Sequence, residues 1–169
     1  MAQLANQTIP QEAMLQALSG YLANDAINRM IEHRNFAKFK NLLWIIKFWA
    51  KSNFIYGNKF GFFNGISLAI LCTKIFLFYP NASVIFLFEK FLLIILTWNW
   101  PMPIKIDENK KGEFELFNWR PSRIEFENGE MQMPIITPIG LGQNTSKNMN
   151  NSTKKIIEKQ LRQSLILIK

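Results

Sequence analysis

Apolar positions recur at helical spacing through most of the first hundred residues and again in the last twenty. Thr8 fits a helix cap with Pro10 in the first turn, and Met14, Leu15 and Leu18 predict a helix that stops at Gly20. Ile27, Met30 and Ile31 predict a second helix over about 22–33. In a third, over about 36–50, Leu42, Leu43, Ile45, Ile46 and Trp49 cover most of the circumference. That helix is expected to be largely buried except along Lys40, Lys47 and Lys51, which share a narrow arc with Trp44 close by.

Two strongly apolar runs follow, 66–79 and 84–98. A membrane-spanning helix needs about 20 mostly apolar residues. Lys74 interrupts the first run, Glu89 and Lys90 sit inside the second, and Pro80-Asn81 separates them. Both are expected to be buried core helices, the second capped by Asn81 and ending near Thr97, so no membrane partner is expected. Trp98-Asn-Trp-Pro-Met-Pro then breaks helical structure, because two prolines in three residues cannot continue it. Residues 104–132 are polar and turn-rich, with short strand pieces expected around 114–117. The run 133–138 should be extended, and 140–151 has linker-like composition. Ser152 is expected to cap a final amphipathic helix, with Ile157, Leu161, Leu165 and Ile168 on one side and Lys154, Lys155, Lys159 and Arg162 on the other.

These elements describe a mainly α protein, a helical bundle with a loop-rich, short-strand insertion. At 169 residues it is one domain, divided into N-terminal helices (1–35), core helices (36–100), a loop-rich region (101–148) and the amphipathic helix (149–169). The net charge of +8 is concentrated. Seven basic residues face one acid between Arg29 and Lys59, and six face one between Lys147 and Lys169. Such confinement suits an anionic partner, nucleotide or RNA, as well as it suits plain solubility. Cys72, the sole cysteine, lies in an apolar run and offers neither a disulfide nor a cysteine metal site; His33, the sole histidine, lacks partners for a triad. The first ten residues have neither the basic start nor the apolar core of a secretory leader.

Between the third helix and the first apolar run lie a tyrosine turn, Ile55-Tyr56-Gly57-Asn58, and a glycine turn, Phe62-Phe63-Asn64-Gly65-Ile66-Ser67. Glycine at 57, 61 and 65 permits close backbone approach, and amides at the start of the next helix form an anion site. Neither a P-loop nor a dinucleotide fingerprint is present. On spacing alone, the lysine arc reads as a solvated stripe or as point charges for phosphates, and the aromatics as core or as pocket wall.

The blocks IKFWAKSNFIYGNKFGFFNGIS, FYPNAS, FEKF, TWNWPMP, NWRPS and MPIITP, in this order and spacing, resemble the central domain of eukaryotic poly(A) polymerases, from about Ala17 to the last helix. The resemblance implies a helical middle domain that closes over ATP and the RNA 3′ end. It also implies a catalytic domain, whose three aspartates hold two Mg2+ or Mn2+ ions, and an RNA-binding domain. A nuclear location and contact with the cleavage and polyadenylation machinery are further implications. Carried over residue by residue, Lys47 resembles the lysine that contacts the ATP phosphates. Tyr56 and Asn58 resemble the tyrosine and asparagine at the nucleotide, and Gly65-Ile66 the glycine–valine pair against adenine.

Some positions depart from that pattern. Asn64 replaces a further glycine, Ile66 a valine and Ser19 a substrate-binding asparagine, while Ile139-Gly140-Leu141 replaces Ala-Tyr-Pro. Two-metal chemistry needs clustered carboxylates. The only aspartates are Asp25 and Asp107, and the Glu125/Glu127 alternation is a weak imitation, so no catalytic or metal residue is expected here. The expectation is a polynucleotide adenylyltransferase domain that adds AMP from ATP to RNA 3′ ends only with its missing catalytic partner. The alternatives are a non-catalytic RNA-binding or scaffold relic and a membrane-associated helical protein.

Overall fold

Helix α3 (Gly65–Phe78) is the element on which three other helices pack. It is buried nearly all round, from Ser67 through Thr73 and at Ile75 and Phe76, as its uniformly apolar sequence requires. Helices α1 (Gln11–Met30), α2 (Phe36–Ser52) and α4 (Val84–Thr97) each pack on it, and α5 (Asn151–Ile168) closes over α4. A computed structural model describes residues 11–31, 35–106, 131–138 and 142–168, with side chains from residue 20 onward. The expected roles of Thr8, Pro10, His33, Asp107, Glu125 and Glu127, the strand pieces at 114–117 and the departures at 139–141 lie outside the described residues. The same holds for the side chains of Met14, Leu15, Leu18 and Ser19. Among the described residues no helix is long and apolar enough to cross a membrane.

The N-terminal residues form one helix rather than two. Gly20, expected to stop the first, lies inside α1, where a Cβ would meet nothing within 4 Å. A helical glycine costs about 1 kcal/mol relative to alanine. Burying Ala23, Ala26 and Ile27 on the far side of it outweighs that cost.

Helix α2 buries Phe39, Leu42, Ile46, Trp49 and Ala50, a three- and four-residue rhythm that keeps one face inward. Its outward face differs from expectation. Trp44 and Phe48 are 68% and 60% exposed, so the lysine arc is an aromatic face as well. Lys38, by contrast, is used structurally, donating to the carbonyl oxygens of Pro80 (2.6 Å) and Ala82 (3.3 Å) in the turn between α3 and α4.

Caps also moved. Ser83, not Asn81, precedes α4 and accepts from the Phe86 amide, because Ser83 has the extended backbone a cap requires. Asn150, not Ser152, caps α5: its Oδ1 accepts from the Ser152 and Thr153 amides at 3.0 Å, and Thr153 Oγ1 accepts from the Asn150 amide. Trp49 ties α2 to both later helices. Its ring meets Phe88 and Phe91 of α4 edge-on, and its indole N–H donates to Ser164 of α5 at 2.7 Å.

The described part of the linker-like run, 142–150, is packed rather than free. Ile135 forms a parallel bridge with Ile104, Ile136 an antiparallel bridge with Asn144, and the Thr145 amide donates to Ile135. Ser146, 5% exposed, donates to the Met133 carbonyl at 2.6 Å. The polar residues that suggest a linker are the ones that satisfy buried backbone groups.

Candidate functional site

Where α2 ends, the chain reverses through the tyrosine turn. Ile55, fully buried, anchors it, and Tyr56 forms a bridge with Phe63. The Gly57 amide donates to the Phe63 carbonyl at 2.7 Å, and the Gly57 carbonyl accepts from Phe60 and Phe62. Gly57 (φ 133°) and Gly61 (φ 76°) bracket a single 3-10 turn, Asn58–Phe60, in backbone conformations that L side chains rarely adopt. Gly65 has no such requirement. It is the first residue of α3, and a Cβ there would meet only the Tyr56 hydroxyl, at 3.5 Å.

The Asn64 departure has a local explanation. Asn64 caps α3 through a reciprocal box: its Oδ1 accepts from the Ser67 amide, and Ser67 Oγ accepts from the Asn64 amide, both at 2.8 Å. The Asn64 side-chain amide also donates to the Thr145 carbonyl at 2.8 Å. The Ser67 amide is therefore occupied by the cap.

Lys47 lies 5.9 Å from the centre of the Tyr56 ring, and Lys51, one turn later, 5.4 Å. Neither meets a carboxylate among the described residues, so their charge is held beside a half-buried aromatic and left uncompensated. Asn58 is pinned through its backbone, whose carbonyl accepts from the Gly61 amide (3.0 Å) and the Asn148 side chain (3.1 Å). Its side-chain Oδ1 is buried and has no hydrogen-bond partner among the described residues. A buried acceptor without a donor costs about 1–3 kcal/mol, which a ligand's N–H would recover. Ile66 is half-buried and packs against the core.

Of the five residues singled out from sequence, Lys47, Tyr56 and Gly65 come together directly. Asn58 lies two residues beyond Tyr56 on the same turn, and Ile66 follows Gly65 into α3. Lys51 belongs with them on contact, and the arc already contained it. Asn148 could not be found that way, because it reaches Asn58 from 90 positions away.

Cys72 is no competitor for chemistry, since burial pushes its thiol far above the ordinary range and leaves it inert. A separate cavity of about 540 Å³ opens at the other end of α3, lined by Phe78, Tyr79, Ile94, Trp98 and Met102 among others. None of the five residues lines it.

Residues 38–169 match the family model of the poly(A) polymerase central domain. The chain is 32% identical over 157 residues to a Candida albicans protein named poly(A) polymerase PAPa, covering 93% of this chain and 28% of that protein. It is 34% identical over 150 residues to Candida albicans poly(A) polymerase PAPalpha, covering 89% and 26%. The chain thus spans about a quarter of the length of these relatives.

Proposed function

The chain belongs to the poly(A) polymerase central-domain family, and on that premise we propose that it forms the ATP-facing wall of a polynucleotide adenylyltransferase. The reaction is extension of an RNA 3′ end by AMP. The terminal 3′-hydroxyl attacks the α-phosphorus of ATP and pyrophosphate leaves.

Within that reaction the residues here bind and orient. Lys47, with Lys51 beside it, supplies point charges to the triphosphate. Tyr56 presents its ring to the nucleotide, Asn58 Oδ1 accepts from a nucleotide N–H, and Gly65-Ile66 gives adenine a close, apolar edge. The Asn58 acceptor carries most weight, because a buried oxygen without a donor beside two uncompensated lysines asks for a ligand that is both anionic and rich in N–H groups. The described residues do not fit a catalytic metal: no three His, Cys, Asp or Glu side chains come together among them. Mg2+ or Mn2+ is assigned to the aspartates of a separate catalytic domain, and an RNA-binding domain and the cleavage and polyadenylation machinery complete the nuclear assembly in this proposal.

The test is Lys47→Ala in the polymerase assembled with its catalytic domain. Losing a charge-assisted contact worth roughly 1.5–3 kcal/mol raises the apparent KM for ATP by about 10- to 150-fold, with the circular dichroism spectrum unchanged because Lys47 is exposed. Tyr56→Phe should be milder than Tyr56→Ala if the ring carries the contact. An unchanged KM in Lys47→Ala would make the arc an ordinary solvated surface.

A further inference from the structure

The outward face of α2 carries a feature that the nucleotide site does not use. Trp44 and Phe48, one turn apart, are stacked with ring centres 5.6 Å apart and planes 9° from parallel, and both stand largely in solvent. Lys40, Lys47 and Lys51 share this face, and α2 has no acidic residue in its 17. None of these three lysines has an ion-pair partner among the described residues, whereas Lys38, off this face, is engaged with backbone carbonyls.

Two exposed, parallel aromatic rings set among cations that meet no carboxylate among the described residues match the design of single-strand nucleic-acid sites, in which bases stack on side chains and lysines follow the phosphates. We infer that the Trp44–Phe48 pair is a base-stacking platform for single-stranded RNA, with Lys40, Lys47 and Lys51 in a row alongside it. The inference rests on the proposed nucleotide site, since Lys47 is only about 4.5 Å further along the helix axis than Trp44. A strand on the platform would run beside the bound nucleotide. Purine-rich RNA fits best, because larger bases cover more of the indole. A protein partner fits less well. Interface cores are depleted in lysine, and covering this face with protein would desolvate three unpaired ammonium groups.

The test uses the 169-residue chain and a 3′-fluorescein oligo(A) of 15 nucleotides, read by fluorescence anisotropy and by quenching of tryptophan emission. Both rings are exposed, so Trp44→Ala/Phe48→Ala should retain its helical spectrum and melting temperature. It is expected to bind oligo(A) at least tenfold more weakly, with the salt dependence of binding unchanged and quenching lost. Trp44→Phe should retain most of the affinity. Lys40→Ala should instead lower the slope of log affinity against log salt by about 0.7.

Oligo(A) binding by the double variant within twofold of wild type overturns the platform. So does unchanged RNA binding with lost association to a separately expressed catalytic domain, which would make this face an interdomain contact. ATP affinity measured on the same variants separates the two proposals. Trp44→Ala/Phe48→Ala should bind ATP like wild type, and loss of ATP binding only in Lys47→Ala leaves the nucleotide wall standing whatever the RNA result.

Discussion

Phe91→Ala is expected to lower the free energy of unfolding by about 3–5 kcal/mol, a large share of the ~5–15 kcal/mol available to a typical domain. Phe91 is fully buried in α4 and meets the Trp49 ring edge-on, with centres 5.9 Å apart. Trp49 donates in turn to Ser164 of α5. Removing the ring leaves a cavity at the junction of α2, α4 and α5 and frees the indole that fixes α2 in rotation. Because Lys47 is carried by α2, the variant should weaken nucleotide binding even at temperatures where it remains folded. Phe91→Leu, which keeps most of the volume, should cost under about 1.5 kcal/mol. Urea denaturation followed by circular dichroism gives both values, and near-equal midpoints for the two variants would mean that the junction repacks around the loss.

Gly61→Val is expected to cost about 2–5 kcal/mol, from two terms that add. A left-handed backbone (φ 76°) disfavours an L residue by roughly 1–2 kcal/mol, the more so when β-branched. The new Cβ would also lie 2.7 Å from the Asn148 carbonyl oxygen and 3.1 Å from Thr153 Cγ2, an overpacking cost of roughly 1–3 kcal/mol. The contact cannot give by a rotamer change, because the nearest atom is backbone. Relief requires the 142–150 segment to withdraw, breaking the Asn148–Asn58 hydrogen bond that pins the tyrosine turn. Gly65→Ala is the control. Its backbone is helical and its Cβ makes an ordinary contact with the Tyr56 hydroxyl, so stability should change by less than about 1 kcal/mol while the approach of a ligand to Tyr56 narrows. Equal destabilisation by the two substitutions would remove the distinction between a glycine needed for folding and one needed for access.

The helices at 36–52, 65–78 and 84–97 were legible because their apolar rhythm and their glycine and proline boundaries agree. What failed was finer. Asn81 and Ser83 are both good caps, and only backbone geometry chooses between them. Gly20 reads as a stop on propensity alone, which does not register the burial of Ala23, Ala26 and Ile27 beyond it. Trp44 sits close to the lysine arc by spacing, but hydrophobicity does not by itself signal that it and Phe48 stand exposed there. The segment 142–150 read as a linker because polar composition does not reveal that Ser146 and Asn148 bond distant backbone. The proposed site residues come only from the family pattern, and Asn58's unpartnered oxygen is visible only in the fold.

Nucleotide is proposed to bind at the turn between α2 and α3. Photo-crosslinking the chain with 8-azido-ATP, followed by mapping of the modified peptide, addresses it most directly. Label confined to residues 56–66, displaced by excess ATP and reduced in Lys47→Ala, is the expected result. Label at the cavity around Phe78 and Trp98, at the far end of α3, or label that ATP fails to displace, would contradict it.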